Sequence, residues 1–164
     1  MTEQLINLLI VDDEEQFLTS ISKRLSVRGF NVIAVDRGEK AIAAAKKYPI
    51  DVALVDLKMP GINGEETLKA LKKEYKWMEI VILTGHGSVE SAVECTQSGA
   101  YSYLQKPCEL DTLLEVLANA YKKKVMNRKN IDEKKMNELL KIAIGESPRE
   151  ILSSLRKLDK GEAS

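Results

Sequence analysis

The sequence is poor in the residues that build covalent or metal staples. Two cysteines, Cys95 and Cys108, and one histidine, His86, occur in 164 residues. The cysteines form no Cys-x-x-Cys pair and no metal-type spacing with the histidine, which argues against structural zinc and a disulfide framework. Long apolar runs are also lacking. Stretches such as Leu8-Leu9-Ile10-Val11 fall far short of the ~20 residues that a membrane span requires. The opening segment has neither a basic n-region nor a long apolar core, so no signal peptide is expected and the chain reads as reduced and cytoplasmic. GxGxxG and GxxxxGKS/T loops are absent, which argues against the common nucleotide-binding folds. No internal repeat or low-complexity stretch occurs.

Net charge is missing too, with 25 Lys+Arg against 25 Asp+Glu. That zero hides an asymmetry. Residues 122–164 hold 12 basic and 7 acidic side chains, a balance of +5, and the body carries the compensating −5. An acidic body and a basic tail are different objects. The length fits about one domain, and 44% hydrophobic with 30% charged residues is an ordinary globular composition.

The body alternates between two patterns. Nearly unbroken apolar runs at Leu5–Val11, Asn31–Val35, Asp51–Leu57, Glu79–Leu83 and Ala100–Leu104 read as strands. Between them, helical periodicity spans about Glu14–Arg28, Gly38–Tyr48, Gly64–Tyr75 and Ser88–Ser98, with a last helix from Glu109 to about Lys124. Strands apolar on both faces and separated by helices indicate a parallel sheet buried on both sides. Five such units fit an open, doubly wound α/β sheet; a closed eight-unit barrel would need roughly twice the chain.

The carboxylates fall where such a sheet gathers ligands. Asp12 and Asp13 follow the first strand, and Asp56 follows the third. With strand order 2-1-3-4-5 these strands are neighbours at the switch point, and the three acids converge. Close carboxylates repel, and a hard divalent cation relieves them; Mg²⁺ fits best. Thr84 ends the fourth strand and Lys106 follows the fifth. A lysine supplies a fixed positive charge for an oxyanion, and a hydroxyl can donate one hydrogen bond to it. Such a set can hold a metal, bind a phosphoryl group and accept it on a carboxylate. Each residue alone is commonplace, an N-cap or a loop polar group. The specific signal is their joint occurrence at the ends of different strands.

The segments Leu9-Ile10-Val11-Asp12-Asp13-Glu14, Ala53-Leu54-Val55-Asp56-Leu57-Lys58-Met59-Pro60-Gly61-Ile62-Asn63-Gly64, Ile82-Leu83-Thr84-Gly85-His86-Gly87 and Gly99-Ala100-Tyr101-Ser102-Tyr103-Leu104-Gln105-Lys106-Pro107 resemble the receiver domain of two-component response regulators over about residues 4–124. The resemblance implies a flavodoxin-like five-stranded fold with Asp56 as phosphoacceptor. It implies Mg²⁺ held by Asp12, Asp13, Asp56 and the Lys58 backbone carbonyl, with Thr84 and Lys106 on the phosphoryl oxygens. It further implies a cis Lys106–Pro107 peptide, a Thr84–Tyr103 switch, and an influence of Lys58 and His86 on loss of the phosphoryl group. Such a protein is not a conventional enzyme; it catalyses its own phosphorylation and dephosphorylation. Its implied partners are a sensor histidine kinase or phosphotransfer protein and a downstream protein target.

The boundary is expected at 1–124 for the receiver and 125–164 for a helical C-terminal extension. Ile131–Ile144 is amphipathic, Gly145 breaks it, and Ser147-Pro148-Arg149-Glu150 reads as the capped start of a second helix. The Lys122-Lys123-Lys124 run reads as a solvated turn. The apolar stripes suit docking onto the body, onto a second copy as a homodimer, or onto a partner. The alternative function is a transcriptional regulator that binds nucleic acid through this basic tail. Against it, the tail's basic residues are interleaved with acids and no Arg/Asn/Gln-rich recognition helix is present.

Overall fold

The computed structural model describes residues 5–143 and 148–161. Strands β1 (Ile6–Val11), β2 (Phe30–Val35), β3 (Val52–Val55), β4 (Glu79–Thr84) and β5 (Ser102–Gln105) alternate with helices α1 (Glu15–Ser26), α2 (Gly38–Lys47), α3 (Gly64–Glu74), α4 (Val89–Gln97) and α5 (Leu110–Lys129). Helices α6 (Glu133–Ala143) and α7 (Pro148–Asp159) follow. All pairings are parallel, in the order β2-β1-β3-β4-β5, as the apolar runs and the switch-point argument require. The doubly wound fold expected from the sequence is therefore the fold observed. Gly145 and Ser147, the expected breaker and cap, lie outside the described residues.

The period of two along each strand divides the core between the two faces of the sheet. Ile6, Leu8 and Ile10 of β1, with Val52, Leu54, Val81 and Leu83, pack against α1 and α5. Leu9, Val11, Ala53, Val55, Ile80 and Ile82 face α2, α3 and α4. On this second face Ala41, Ala44 and Ala45 let α2 approach closely, and Cys95 of α4 is buried as a small packing residue.

Several boundaries differ from the sequence pattern, and two of the differences have a visible cause. β5 begins at Ser102 rather than Ala100, because the amides of Gly99 and Ala100 donate back to Thr96 and Cys95 and belong to the exit of α4. α5 runs on to Lys129 and ends at Asn130, whose φ of 54° places it in the left-handed region that asparagine tolerates better than most residues.

That extension carries a correction. The lysine run at 122–124 is not a wholly solvated turn: Lys124 is buried. Its ammonium donates to Asp51 Oδ1 and reaches Asp159 Oδ2 at 3.4 Å. Arg156 of α7 donates to Asp51 Oδ2 at 2.9 Å, and the Asn7 amide donates to the same oxygen at 2.8 Å. Tyr121 donates to Asp159 Oδ2 at 3.1 Å, and Arg128 donates to Oδ1 at 3.0 Å. Burial pushes the Tyr121 phenol far up, so it acts as a neutral donor. Of the three docking options for the tail stripes, the chain uses its own body: Met136, Leu140, Leu152 and Leu155 join the α1–α5 core.

This network gives stability a pH dependence. Burial raises the Asp159 carboxyl, but Lys124, Arg128 and the hydrogen bonds from Tyr121 and Lys124 outweigh it and hold it below its ordinary value of 3.8. A depressed carboxylate contributes stability above its unfolded pKa and loses it as pH falls through the folded one. Asp159→Asn is expected to cost about 3 kcal/mol at pH 7, because two buried cations lose a counter-charge while Asp51 remains. In urea titrations its deficit against the native chain should shrink once the pH falls below the ordinary carboxylate range.

Candidate functional site

The sheet's carboxyl edge is built by backbone bonds that continue each ladder one residue past its strand. The Asp12 amide donates to Val35 O at 3.1 Å, Asp56 to Val11 O at 2.9 Å, and Lys106 to Thr84 O at 2.9 Å. Register alone thus brings Asp12, Asp56, Thr84 and Lys106 to one rim. Asp12, Asp13 and Asp56 each offer a carboxylate oxygen, and these oxygens lie within 4.8 Å of one another. Asp12 and Asp56 are buried, and Asp13 is exposed. Among the described residues this is the one acidic group with metal-holding geometry. Asp36, which precedes α2, stands apart from it and pairs with Arg37 and Lys40.

The acids are held differently. Asp12 Oδ1 accepts from the Glu14 amide at 2.9 Å, and Oδ2 accepts from Lys106 Nζ at 2.6 Å. Burial raises the Asp12 carboxyl, the Lys106 and Glu14 hydrogen bonds oppose that, and the nearby Asp56 charge adds to the rise. Two buried acids with so few cations suit a hard cation with oxygen ligands and retained waters. Asp56 Oδ1 accepts from the Leu57 amide at 2.8 Å, which orients the carboxylate and leaves Oδ2 without a protein donor among the described residues.

The other expected residues surround this cluster. Thr84 is fully buried, and its Oγ1 accepts from the His86 amide at 3.0 Å. Lys58 and His86 line an open depression with Asp13, Glu14, Met59 and Asn63. The Lys106–Pro107 peptide is cis. Tyr103 is half-buried, and its hydroxyl shares a 2.6 Å hydrogen bond with Ser91 Oγ of α4 and accepts from the Ser88 amide at 3.3 Å. Gly87 makes room for that ring: a Cβ there would stand 2.4 Å from the tyrosine oxygen.

Three contributors were not singled out by sequence reasoning. Glu14 and Phe17 both engage Lys106. Gly64 opens α3 where a Cβ would lie 2.2 Å from the Asp56 carbonyl oxygen. A glycine four residues after Pro60 and next to an Asn cap was the available signal, but its cause is backbone contact with the end of the preceding strand, eight residues earlier.

A family profile described as "Response regulator receiver domain" matches residues 8–118. The chain belongs to the response regulator receiver domain family. Curated relatives include a "Putative response regulator NtrX-like" of Rickettsia conorii, 34% identical over 131 residues, which cover 79% of this chain and 28% of the relative. The chain therefore spans less than a third of the length of such relatives. Among solved structures, a CheY-like receiver domain protein from Methanospirillum hungatei superposes with a TM-score of 0.73 at 28% identity, over 75% of this chain and 98% of that one. A CheX–CheY–BeF3–Mg²⁺ complex from Borrelia burgdorferi matches with a TM-score of 0.66 at 26% identity, over 71% of this chain and 89% of that one. Among the described residues no helix is long and apolar enough to cross a membrane.

Because the receiver's α3 abuts the strand that carries Asp56, Gly64→Ala is expected to cost about 2 kcal/mol through overpacking against rigid backbone. Chemical denaturation would measure it. A change below a few tenths of a kcal/mol would show that α3 does not buttress the site.

Proposed function

We propose that this receiver accepts a phosphoryl group on Asp56 from a histidine kinase or phosphotransfer protein and signals through altered protein contacts. The observation that carries this reading is the convergence of Asp12, Asp13 and Asp56, with Lys106 donating to the first of them. Asp12, Asp13, Asp56 and the Lys58 carbonyl would hold Mg²⁺. When bound, the ion supplies charge neutralisation between the carboxylates and the incoming phosphoryl oxygens.

Asp56 Oδ2 is the oxygen suited to attack. An oxygen–phosphorus bond forms as the phosphorus–nitrogen bond of the donor phosphohistidine breaks, and the electron pair stays on the imidazole nitrogen. Lys106 and Thr84 then hold phosphoryl oxygens with an ammonium and a hydroxyl. Drawing the Thr84 hydroxyl inward opens space beside Tyr103, whose ring would leave the Ser91 and Ser88 contacts. That is a two-state element biased by a local charge event. The chain's catalysis is confined to its own aspartate, and its site of action is the cytoplasm.

Residues 1–124 would form the working receiver and 125–164 an extension that braces it. Nucleic-acid binding through that extension has less support, since its Arg128 and Arg156, like the adjoining Lys124, are engaged in ion pairs with Asp51 and Asp159. The protein output that follows phosphorylation would then run through a partner protein or a second copy.

Incubation with acetyl phosphate and Mg²⁺ tests the acceptor. The native chain should gain the mass of one phosphoryl group, and the gain should vanish with chelator or in Asp56→Asn. Equal labelling of Asp56→Asn would remove Asp56 from the role.

A further inference from the structure

Lys106 sits in a three-way hold. Its ammonium donates to Asp12 Oδ2 at 2.6 Å and to Glu14 Oε1 at 3.0 Å, and it lies 4.1 Å from the centroid of the Phe17 ring. Among the described residues no ion pair joins it to Asp56. Glu14 is well placed for this grip. It occupies the N-cap position of α1, yet its side chain makes no capping hydrogen bond. Its amide is fixed by Asp12 Oδ1, and its carboxylate reaches over to the lysine instead. Phe17, three residues on, lies on the same helix face. One side of the lysine is therefore an aromatic platform and the other an exposed carboxylate.

We infer that Glu14 and Phe17 are positioning residues that hold Lys106 in a resting place from which it must be drawn to reach a phosphoryl group on Asp56. The inference deepens the phosphoacceptor reading and rests on it. If Asp12 turns to a cation, Lys106 loses one of its two carboxylates. Glu14 then becomes its remaining anionic partner and competes directly with the phosphoryl oxygens. Weakening that grip should favour the phosphorylated state. Because the Glu14 side chain is 56% exposed, the pair is partly screened and the effect is modest: about two- to five-fold in an equilibrium.

Glu15 provides the control. It adds the same charge one residue further along, in the first turn of α1, and has no contact with Lys106 among the described residues. The experiment compares the full native chain with Glu14→Gln, Glu15→Gln and Phe17→Leu at saturating Mg²⁺. Beryllofluoride serves as the phosphoryl-like probe, read by calorimetry, and the Lys106 side-chain methylene resonances are read by NMR without it. Glu14→Gln should bind beryllofluoride about two- to five-fold more tightly, and Glu15→Gln should match the native chain. The Lys106 resonances, shifted by the Phe17 ring current, should move toward their solvent values in Phe17→Leu and move measurably in Glu14→Gln. Thermal melts confirm that each variant is folded.

Equal affinities in Glu14→Gln and Glu15→Gln, or weaker binding in Glu14→Gln, would overturn the inference. So would Lys106 resonances that ignore both Glu14→Gln and Phe17→Leu. A native chain that fails to bind beryllofluoride with Mg²⁺ would count against the phosphoacceptor reading, and the lysine resonances would still decide whether the hold exists.

Discussion

Carboxylates dislike one another's company, and this fold forces three of them together. Asp12 and Asp56 come from neighbouring parallel strands whose ladders continue to the last residue, so they cannot separate without breaking the sheet. Both are buried, where repulsion is least screened by water. Lys106 answers part of that charge from one side, and the open rim beside Asp13 leaves room for a cation on the other. The site's chemistry follows from this imbalance. In the proposed function such a cluster would attract a divalent ion, whose charge would in turn make a phosphoryl group on Asp56 tolerable beside Asp12 and Asp13.

The opposite edge of the same sheet solves the converse problem. Asp51 opens the approach to β3, only five residues before Asp56, and it too is buried. There the charge is matched within the protein: Lys124 and Arg156 engage Asp51, and Asp159 closes the set with Tyr121 and Arg128. The cations come from α5 and α7, so the C-terminal helices are bound into the receiver's own core. β3 therefore links two kinds of acidic end, one neutralised by the chain and one only partly so. The family supplies the second. The cations that neutralise the first, Lys124, Arg128 and Arg156, lie beyond residue 118, where the family match stops.

Much of this was legible in the residues. Apolar runs of β-strand length and Ala-rich helical spacing indicated the class, and the order of acids, threonine and lysine at successive strand ends pointed to the candidate site. What escaped notice depends on contacts across the fold. Glu14 looks like one more acid after Asp12-Asp13, and only the position of β5 reveals that it grips Lys106. Phe17 is a partly buried aromatic packed against the α1–α5 core, with a lysine resting on its face. Lys124 sits in a basic run that looks solvated because its partners, Asp51 and Asp159, lie far away in the chain. Burial of a charge is invisible in sequence when the compensating groups arrive from other elements. Gly64 likewise shows its necessity only when the Asp56 carbonyl is seen against it.

The central claim is that three converging carboxylates form a divalent-cation site. Calorimetric titration of Mg²⁺ into the full chain addresses it most directly, beside the same titration of an Asp12→Asn, Asp13→Asn double variant. The account predicts one ion per native chain and a loss of binding in the variant. Undiminished binding in the variant, or none by the native chain, would contradict it.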